Sequence, residues 1–321
     1  MVPDRWYPIL ESARLRSRPV GVTRLGRRLV LWRDGAGWPV VLPALCPHRG
    51  ADLAGGRVRG GELVCPWHGF RFAADGRCTR VPCAGPEARV PRALDAQALP
   101  CREGQGLIWV WHGAPRAALP ALPGLLAELG TDLRATAQAS YELPCHYSRM
   151  VETNLDVHHT PFVHGSVLPV GERVDDFDAH LEGDRIRTRG VLRREDGGRR
   201  FAFRADAELP GLGTIALGTR LAIAIASTPV DAQRSWVWFR YHQNVTRHPL
   251  LGRLVAWLAV QSELRIVQRQ DWRIFRSMAP GTIDEVDAHF VAADAGIALY
   301  RKRRRELLER ACPGAASAGG A

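Results

Sequence analysis

The sequence predicts an α+β protein in two parts: an all-β N-terminal part, then an antiparallel sheet packed on helices. Three observations predict this class. Short apolar runs punctuated by Gly, Pro and Asp fill residues 5–112, and the Ala- and Pro-rich stretch APRAALPALPGLLAELG (114–130) interrupts them. A block of strand character over 184–245 is then followed by helical period over 250–278 and 284–310. At 321 residues and 46% apolar composition the chain can bury a full core, and its length suggests two domains.

In chain order, the first part offers RLVLW (28–32), WPVVLPAL (38–45), ELVC (62–65), FRFAADGR (70–77) and GLIWVW (106–111), the pattern of a small antiparallel β domain. Its boundaries are expected at 1–113, with a connector over 114–140 and a second domain over 141–321. Residues 145–164 read as helix, and alternation in RFAFRADAEL and SWVWFRYH marks strands. The strand SWVWFRYH could line a pocket, with Arg240 or His242 reaching a ligand, or simply pack as a sheet face. There is no internal repeat and no Gly-rich phosphate loop.

Composition narrows the function. The 7 cysteines, Cys46, Cys65, Cys78, Cys83, Cys101, Cys145 and Cys312, follow no secreted-scaffold rhythm, and MVPDRWYPIL lacks a signal-peptide pattern. A reducing cytoplasm is the expected location. The apolar stretch LAIAIASTPV (221–230) is far short of the roughly 20 residues a membrane helix needs, so no membrane span is expected. A net charge of +11 raises nucleic acid as a partner, but the charge is spread along the chain. Its dense run, Arg301 to Arg305, sits in an expected helix as a solvated face, and a basic surface equally suits an acidic electron donor. Nucleic acid is therefore not expected.

Two turns carry metal-ligand chemistry. CPHRG (46–50) and CPWHGF (65–70) supply Cys46 and His48, then Cys65 and His68, a four-ligand set of two thiolates and two imidazoles. Zinc is the first competitor, but zinc sites of this composition usually pair Cys with Cys and His with His. Here each loop brings one of each. A [2Fe-2S] centre in which one iron takes both Cys and the other both His needs that arrangement. Cys78 and Cys83 fall outside both loops and are expected to pack as small apolar residues.

A second constellation lies in VETNLDVHHTPFVHG (151–165). On a helix Asp156 and His159, three apart, share a face while His158 points away. Pro161 re-aims the turn and Gly165 ends it, which brings His164 back. The convergent set is then Asp156, His159 and His164. Two His and one carboxylate with open positions form the facial triad of non-haem Fe(II) oxygen-activating enzymes. The carboxylate is sought in QSELRIVQRQDWRIFRSM (261–278), whose apolar face reads Val267, Ile274, Phe275 and Met278 and includes Asp271. A buried carboxylate needs a cation, so Asp271 is either the third ligand or the partner of an arginine such as Arg265 or Arg269.

The two loops, their intervening GADLAGGRVRGGELV and the following FRFAADGRCTRVP resemble the Rieske signature of the aromatic-ring-hydroxylating oxygenases. The order Asp-x2-His-x4-His with a later Asp is similar to the catalytic domain of their α subunits, closest to the branch of vanillate O-demethylase and pheophorbide a oxygenase. The resemblance runs from WYPIL (6–10) to the final helix and implies a Rieske domain followed by a helix-grip catalytic domain. It implies that Cys46, His48, Cys65 and His68 hold the cluster, that His159, His164 and Asp271 hold mononuclear Fe(II), and that Asp156 is the catalytic bridging carboxylate. It also implies O2 as co-substrate, electrons from NAD(P)H through a reductase or ferredoxin, and a head-to-tail homotrimer in which His68 of one subunit meets Asp156 of the next. One departure stands out: where many relatives carry Asn three residues before that Asp, this chain has Thr153, with Asn154 one later.

The resulting expectation is a Rieske monooxygenase or dioxygenase that hydroxylates or oxidatively demethylates an apolar or aromatic small molecule. The alternative of another class is a Rieske electron-transfer protein with a non-catalytic ligand-binding domain. Iron content separates them, about three irons per chain against two.

Overall fold

The computed structural model describes residues 1–129, 135–196, 200–246, 248–278 and 281–311; Cys312 lies outside them. They form two compact units: Asp4–Leu122, and Met1–Pro3 together with the described residues from Pro123 onward.

The first unit is all β. It contains β1 (Arg5–Glu11), β2 (Val20–Arg24), β3 (Arg27–Arg33), β4 (Pro39–Pro43), β5 (Arg57–Arg59), β6 (Glu62–Val64), β7 (Arg71–Phe72), β8 (Cys78–Arg80), β9 (Cys101–Gly104) and β10 (Leu107–His112). These pair antiparallel as β1-β10-β9, β2-β3-β4 and β5-β6-β7-β8. Alternating apolar residues bury Val30, Trp32, Val40, Leu42, Leu63 and Phe72 together with the sulfurs of Cys46, Cys65 and Cys78. Cys78 packs as expected; Cys83 does not, because it stands exposed in a short turn after Pro82.

The second unit is a seven-stranded antiparallel sheet with helices. Its strands are β11 (Ala135–Leu143), β12 (Arg173–Glu182), β13 (Arg185–Arg193), β14 (Arg200–Glu208), β15 (Leu212–Leu217), β16 (Leu221–Pro229) and β17 (Ser235–Gln243), in the order β11-β17-β16-β15-β14-β13-β12. Its helices are α1 (Tyr147–Leu155), α2 (Thr160–Val163), α3 (Pro249–Ser262), α4 (Gln268–Ser277) and α5 (Ala295–Ala311). A π-helical turn, Glu263–Val267, joins α3 to α4. The class is α+β, as expected. The helical reading of 145–164 is interrupted: α1 ends at Leu155, and Asp156 takes a non-helical backbone (φ −85°, ψ 83°) before Pro161 opens α2. No helix among the described residues is long and apolar enough to cross a membrane.

Two features revise the sequence reading. The basic run Arg301–Arg305 is largely not a solvated face. Arg304 is buried and pairs with Asp284 at 3.0 Å and the Tyr147 hydroxyl at 2.9 Å, while Arg301 pairs with Glu152 and Arg303 with Asp184 and Glu306. A guanidinium taken into a core needs such partners. In β17 the period of two sends Val237, Phe239 and Tyr241 to the helix side, against Val260 and Phe275, and so puts Arg240 and His242 on the other face. Arg240 donates to Gln138 Oε1 at 3.0 and 2.8 Å and lies over the Trp238 ring.

Burial first, and the Arg240 charge second, hold His242 down at about 4; burial likewise holds His146 at about 3. Both are neutral when folded, whereas the unfolded chain takes up protons near pH 6.5. Stability is therefore lost as pH falls from about 6.5 toward about 4. The calorimetric unfolding midpoint is expected to fall over that window, with a shallower fall in His242→Leu; an unchanged slope in the variant would remove His242 as a cause.

Candidate metal centres and ligand pocket

In the first unit the two Cys-His turns are built alike. The Cys46 N–H donates to Ala51 O (2.9 Å) and the Gly50 N–H to Cys46 O (2.8 Å); the Cys65 N–H donates to Phe70 O (2.8 Å) and the Gly69 N–H to Cys65 O (3.2 Å). Gly50 and Gly69 both sit at positive φ, +74° and +71°, which glycine adopts at no steric cost. The result is two matched loops. Each tucks its thiol into the core, with Cys46 3% and Cys65 1% exposed, while the imidazoles of His48 and His68 meet at the rim, ring centroids 4.8 Å apart. Phe70 stacks on His48 at 4.6 Å and Trp67 on His68 at 4.6 Å. Burial, and the neighbouring Cys65 thiol, push Cys46 up to about 11, against the pull of the His48 and Arg49 backbone N–H groups. Two thiols are thus held together in the core, and two outward imidazoles flank them. This donor set fits a cluster whose inner iron takes sulfur and whose outer iron takes nitrogen.

In the second unit His159, His164 and Asp271 converge, their ligand atoms within 4.8 Å of one another. His159 Nε2 lies 3.3 Å from His164 Nε2, and His164 Nε2 lies 3.1 Å from Asp271 Oδ1. The elements explain the convergence. His159 closes the break after α1, His164 caps α2, and Asp271 projects from α4, where it is 9% exposed. The Nδ1 of His164 faces Gln270 Oε1 at 2.9 Å, so Nδ1–H donates outward and leaves Nε2 bare toward the carboxylate. Burial lowers the His164 pKa, and the Asp271 and Gln270 contacts more than reverse it. Two imidazole nitrogens and a carboxylate oxygen crowded at one point fit a divalent metal.

Asp271 faces His164, while Arg265 and Arg269 are exposed, so the arginine pairing weighed above is not formed. The apolar face expected around it is narrower than the sequence suggested: Phe275 is buried, but Ile274 is 40% and Met278 42% exposed. The π turn resets the helical phase just upstream, and α4 ends at Ser277.

Asp156 is the hub beside the triad. It accepts from the His159 N–H (3.2 Å), its Oδ2 lies 3.5 Å from His159 Nδ1, and its Oδ1 lies 3.0 Å from His158 Nε2. His158 was expected to point away; because Asp156 leaves the helix, it turns back, and it also reaches Asp294 Oδ1 at 3.0 Å. Burial works to raise the Asp156 pKa, but the hydrogen bonds of His158 and His159 outweigh it and hold the carboxyl well below the usual range. In return Asp156 pushes His158 up to about 9.

A cavity of about 100 Å³ is lined by this triad, by Asp156 and Asn154, and by the inward residues of four strands, among them Ile223, Val237 and Phe239. Glu263, on the π turn, was not foreseen. It accepts from the Tyr241 hydroxyl at 2.8 Å and lies 3.4 Å from the Tyr141 hydroxyl, and burial raises its pKa to about 7 despite those tyrosines. Its signal was present as spacing: Glu263, Val267 and Asp271 recur at four-residue steps and all line the cavity. Strand register was needed to supply the tyrosines.

The model of the Rieske [2Fe-2S] domain matches residues 5–100. The chain is 31% identical over 238 residues to the oxygenase component of dicamba O-demethylase from Stenotrophomonas maltophilia, covering 74% of this chain and 64% of that protein. It is 36% identical over 163 residues to the vanillate O-demethylase oxygenase subunit of a Pseudomonas species (50% and 48% covered), and 35% over 175 residues to chlorophyllide a oxygenase of Chlamydomonas reinhardtii (54% and 26%). The chain thus spans less than two thirds of the length of these curated relatives. The fold is that of dicamba monooxygenase bound to dicamba, with a TM-score of 0.81 at 22% identity over 97% of this chain and 99% of that one.

Proposed function

We propose that this chain, a homologue of the Rieske oxygenases with a Rieske [2Fe-2S] domain in its N-terminal part, is an oxygenase component that hydroxylates or oxidatively demethylates a small apolar or aromatic compound. One observation carries the reading: His159, His164 and Asp271 converge within 4.8 Å in the wall of an apolar cavity. An electron carrier with a binding domain gives no reason for that convergence.

Cys46, Cys65, His48 and His68 would hold the cluster, and His159, His164 and Asp271 the iron. With both bound, electrons arriving singly at the cluster serve O2 activation beside the substrate. The chain's own part is positional. Gln270 fixes the His164 tautomer and Asp156 orients His159, as carboxylates beside metal-bound imidazoles do. Ile223, Val237 and Phe239 keep the cavity apolar and so limit water. A volume near 100 Å³ is on the scale of cavities that hold a benzene ring, about 150 Å³. This favours a single-ring substrate and not a tetrapyrrole such as chlorophyllide.

Electrons would come from a reductase or ferredoxin, and a basic surface suits an acidic donor. We favour a head-to-tail homotrimer, a closed ring in which His68 of one subunit meets Asp156 of the next. Leu250, Leu254, Trp257 and Leu258 leave an apolar row on α3 that assembly could cover. Six unpaired cysteines among the described residues suit a reducing compartment such as the cytoplasm.

Iron and acid-labile sulfide per chain, measured on anaerobically purified protein, test the reading. About three irons and two sulfides, with substrate-dependent O2 uptake under a surrogate reductase, are expected. Two irons and two sulfides would make the protein a carrier.

A further inference from the structure

The charge of the ligand can be read from what the cavity wall contains and lacks. The chain carries 44 Lys and Arg, yet among the described residues none lines the cavity. Arg240, which lies on a lining strand, is turned to the opposite face and bound to Gln138. Three carboxyl groups do line it: Asp156, Asp271 and Glu263. Asp271 and Asp156 lie beside the point where His159, His164 and Asp271 would hold a dication, and Asp294 joins Asp156 around His158, so the cavity wall itself adds no cationic side chain for a bound anion. A carboxylate placed in such a site loses its hydration and gains no cationic side chain in return.

The wall offers neutral hydrogen-bonding groups instead. Tyr141 and Tyr241 reach Glu263 from two paired strands, at 3.4 and 2.8 Å, and form a polar patch beside the apolar strand residues of the wall. Asn154 contributes a second. It is 2% exposed, it lines the cavity, and its Nδ2 has no hydrogen-bond partner among the described residues. A buried amide donor without a partner is costly, and a ligand acceptor would satisfy it.

We propose that the cavity takes an uncharged, single-ring compound bearing a hydrogen-bond acceptor for Asn154 and rejects the corresponding carboxylate, with Glu263 the residue that sets this selection. The proposal rests on the oxygenase reading in treating the cavity as the substrate site. It narrows that reading to amides, ethers, phenols and neutral heterocycles, and against aromatic acids.

The test compares para-methoxybenzamide with para-methoxybenzoate, which share ring and methoxy group and differ in charge. Binding to the anaerobic, metal-loaded full chain is measured by calorimetry at a pH of about 8, where the acid is fully ionised. The amide is expected to bind at least about tenfold more tightly than the acid. In Glu263→Gln, which keeps a partner for the tyrosines, the preference should narrow to about threefold. Asn154→Leu should weaken the amide and leave the acid unaffected. Wild-type selectivity below about threefold, including no binding of either probe, overturns the assignment without any recourse to variants. O2 uptake with a surrogate reductase keeps the two readings apart. An amide that binds selectively but is never turned over leaves the pocket assignment standing and sinks the oxygenase reading; an acid that binds equally well and is demethylated does the reverse.

Discussion

His159→Ala is expected to lower iron from about three to about two atoms per chain, leave acid-labile sulfide at about two, and abolish turnover. The loss should be at least about 1,000-fold, small against the acceleration of 10⁶-fold or more that enzymes typically supply. The reason is geometric. His159 Nε2 is one of three donors converging on a point, 3.3 Å from His164 Nε2, and alanine leaves one imidazole and one carboxylate to hold the ion. His164→Ala should do the same, and it also strands Gln270, whose Oε1 faces His164 Nδ1. The visible spectrum of the cluster should be unchanged in both, because Cys46, His48, Cys65 and His68 belong to a separate compact unit. Iron counts that stay near three in both variants would mean that the triad is not the mononuclear site.

Asp156→Ala is the more discriminating substitution, since it should leave both metals bound and stop turnover. Asp156 is not one of the three convergent ligands; it touches His159 through its ring nitrogen and backbone N–H, and it holds His158. Removing a carboxylate that orients a metal-bound imidazole typically costs about 10- to 100-fold by itself. The bridging role proposed for Asp156 would add the loss of electron delivery between subunits. Iron and sulfide should therefore match wild type, and the donor should still reduce the cluster at the normal rate, while a single turnover of pre-reduced protein yields no product. Substantial coupled product would reduce Asp156 to a structural member of the Asp156, His158, Asp294 cluster.

The local geometry of the first candidate centre was legible in the sequence. Cys46, His48, Cys65 and His68 lie in two five-residue turns, and a turn's geometry is set by its own residues: a Gly at positive φ and hydrogen bonds spanning four or five positions. The second centre was only partly legible. Asp156, His159 and His164 are near neighbours in sequence, but helical spacing misplaced His158, because it assumed a helix that ends at Leu155. Asp271 was sought on a face that also included Ile274 and Met278, and the structure leaves both exposed. A π turn shifts the helical phase by an amount no periodicity reveals.

Local chemistry thus determined the class of this protein: its α+β composition, the mixed Cys and His turns, and the His-x4-His with a later buried Asp. Tertiary structure alone decided what surrounds that chemistry. The pairing of β11 with β17 sets Tyr141 and Tyr241 beside Glu263, more than a hundred residues from the first of them, and the two-residue period of β17 turns Arg240 out of the cavity. Docking of α5 buries Arg304 against Tyr147 and Asp284, where sequence suggested a solvated basic face. Ligands can be read where the backbone between them is short and its turns are dictated locally. The charge and shape of a pocket arise from side chains whose separation in sequence carries no information until the strands have found their register.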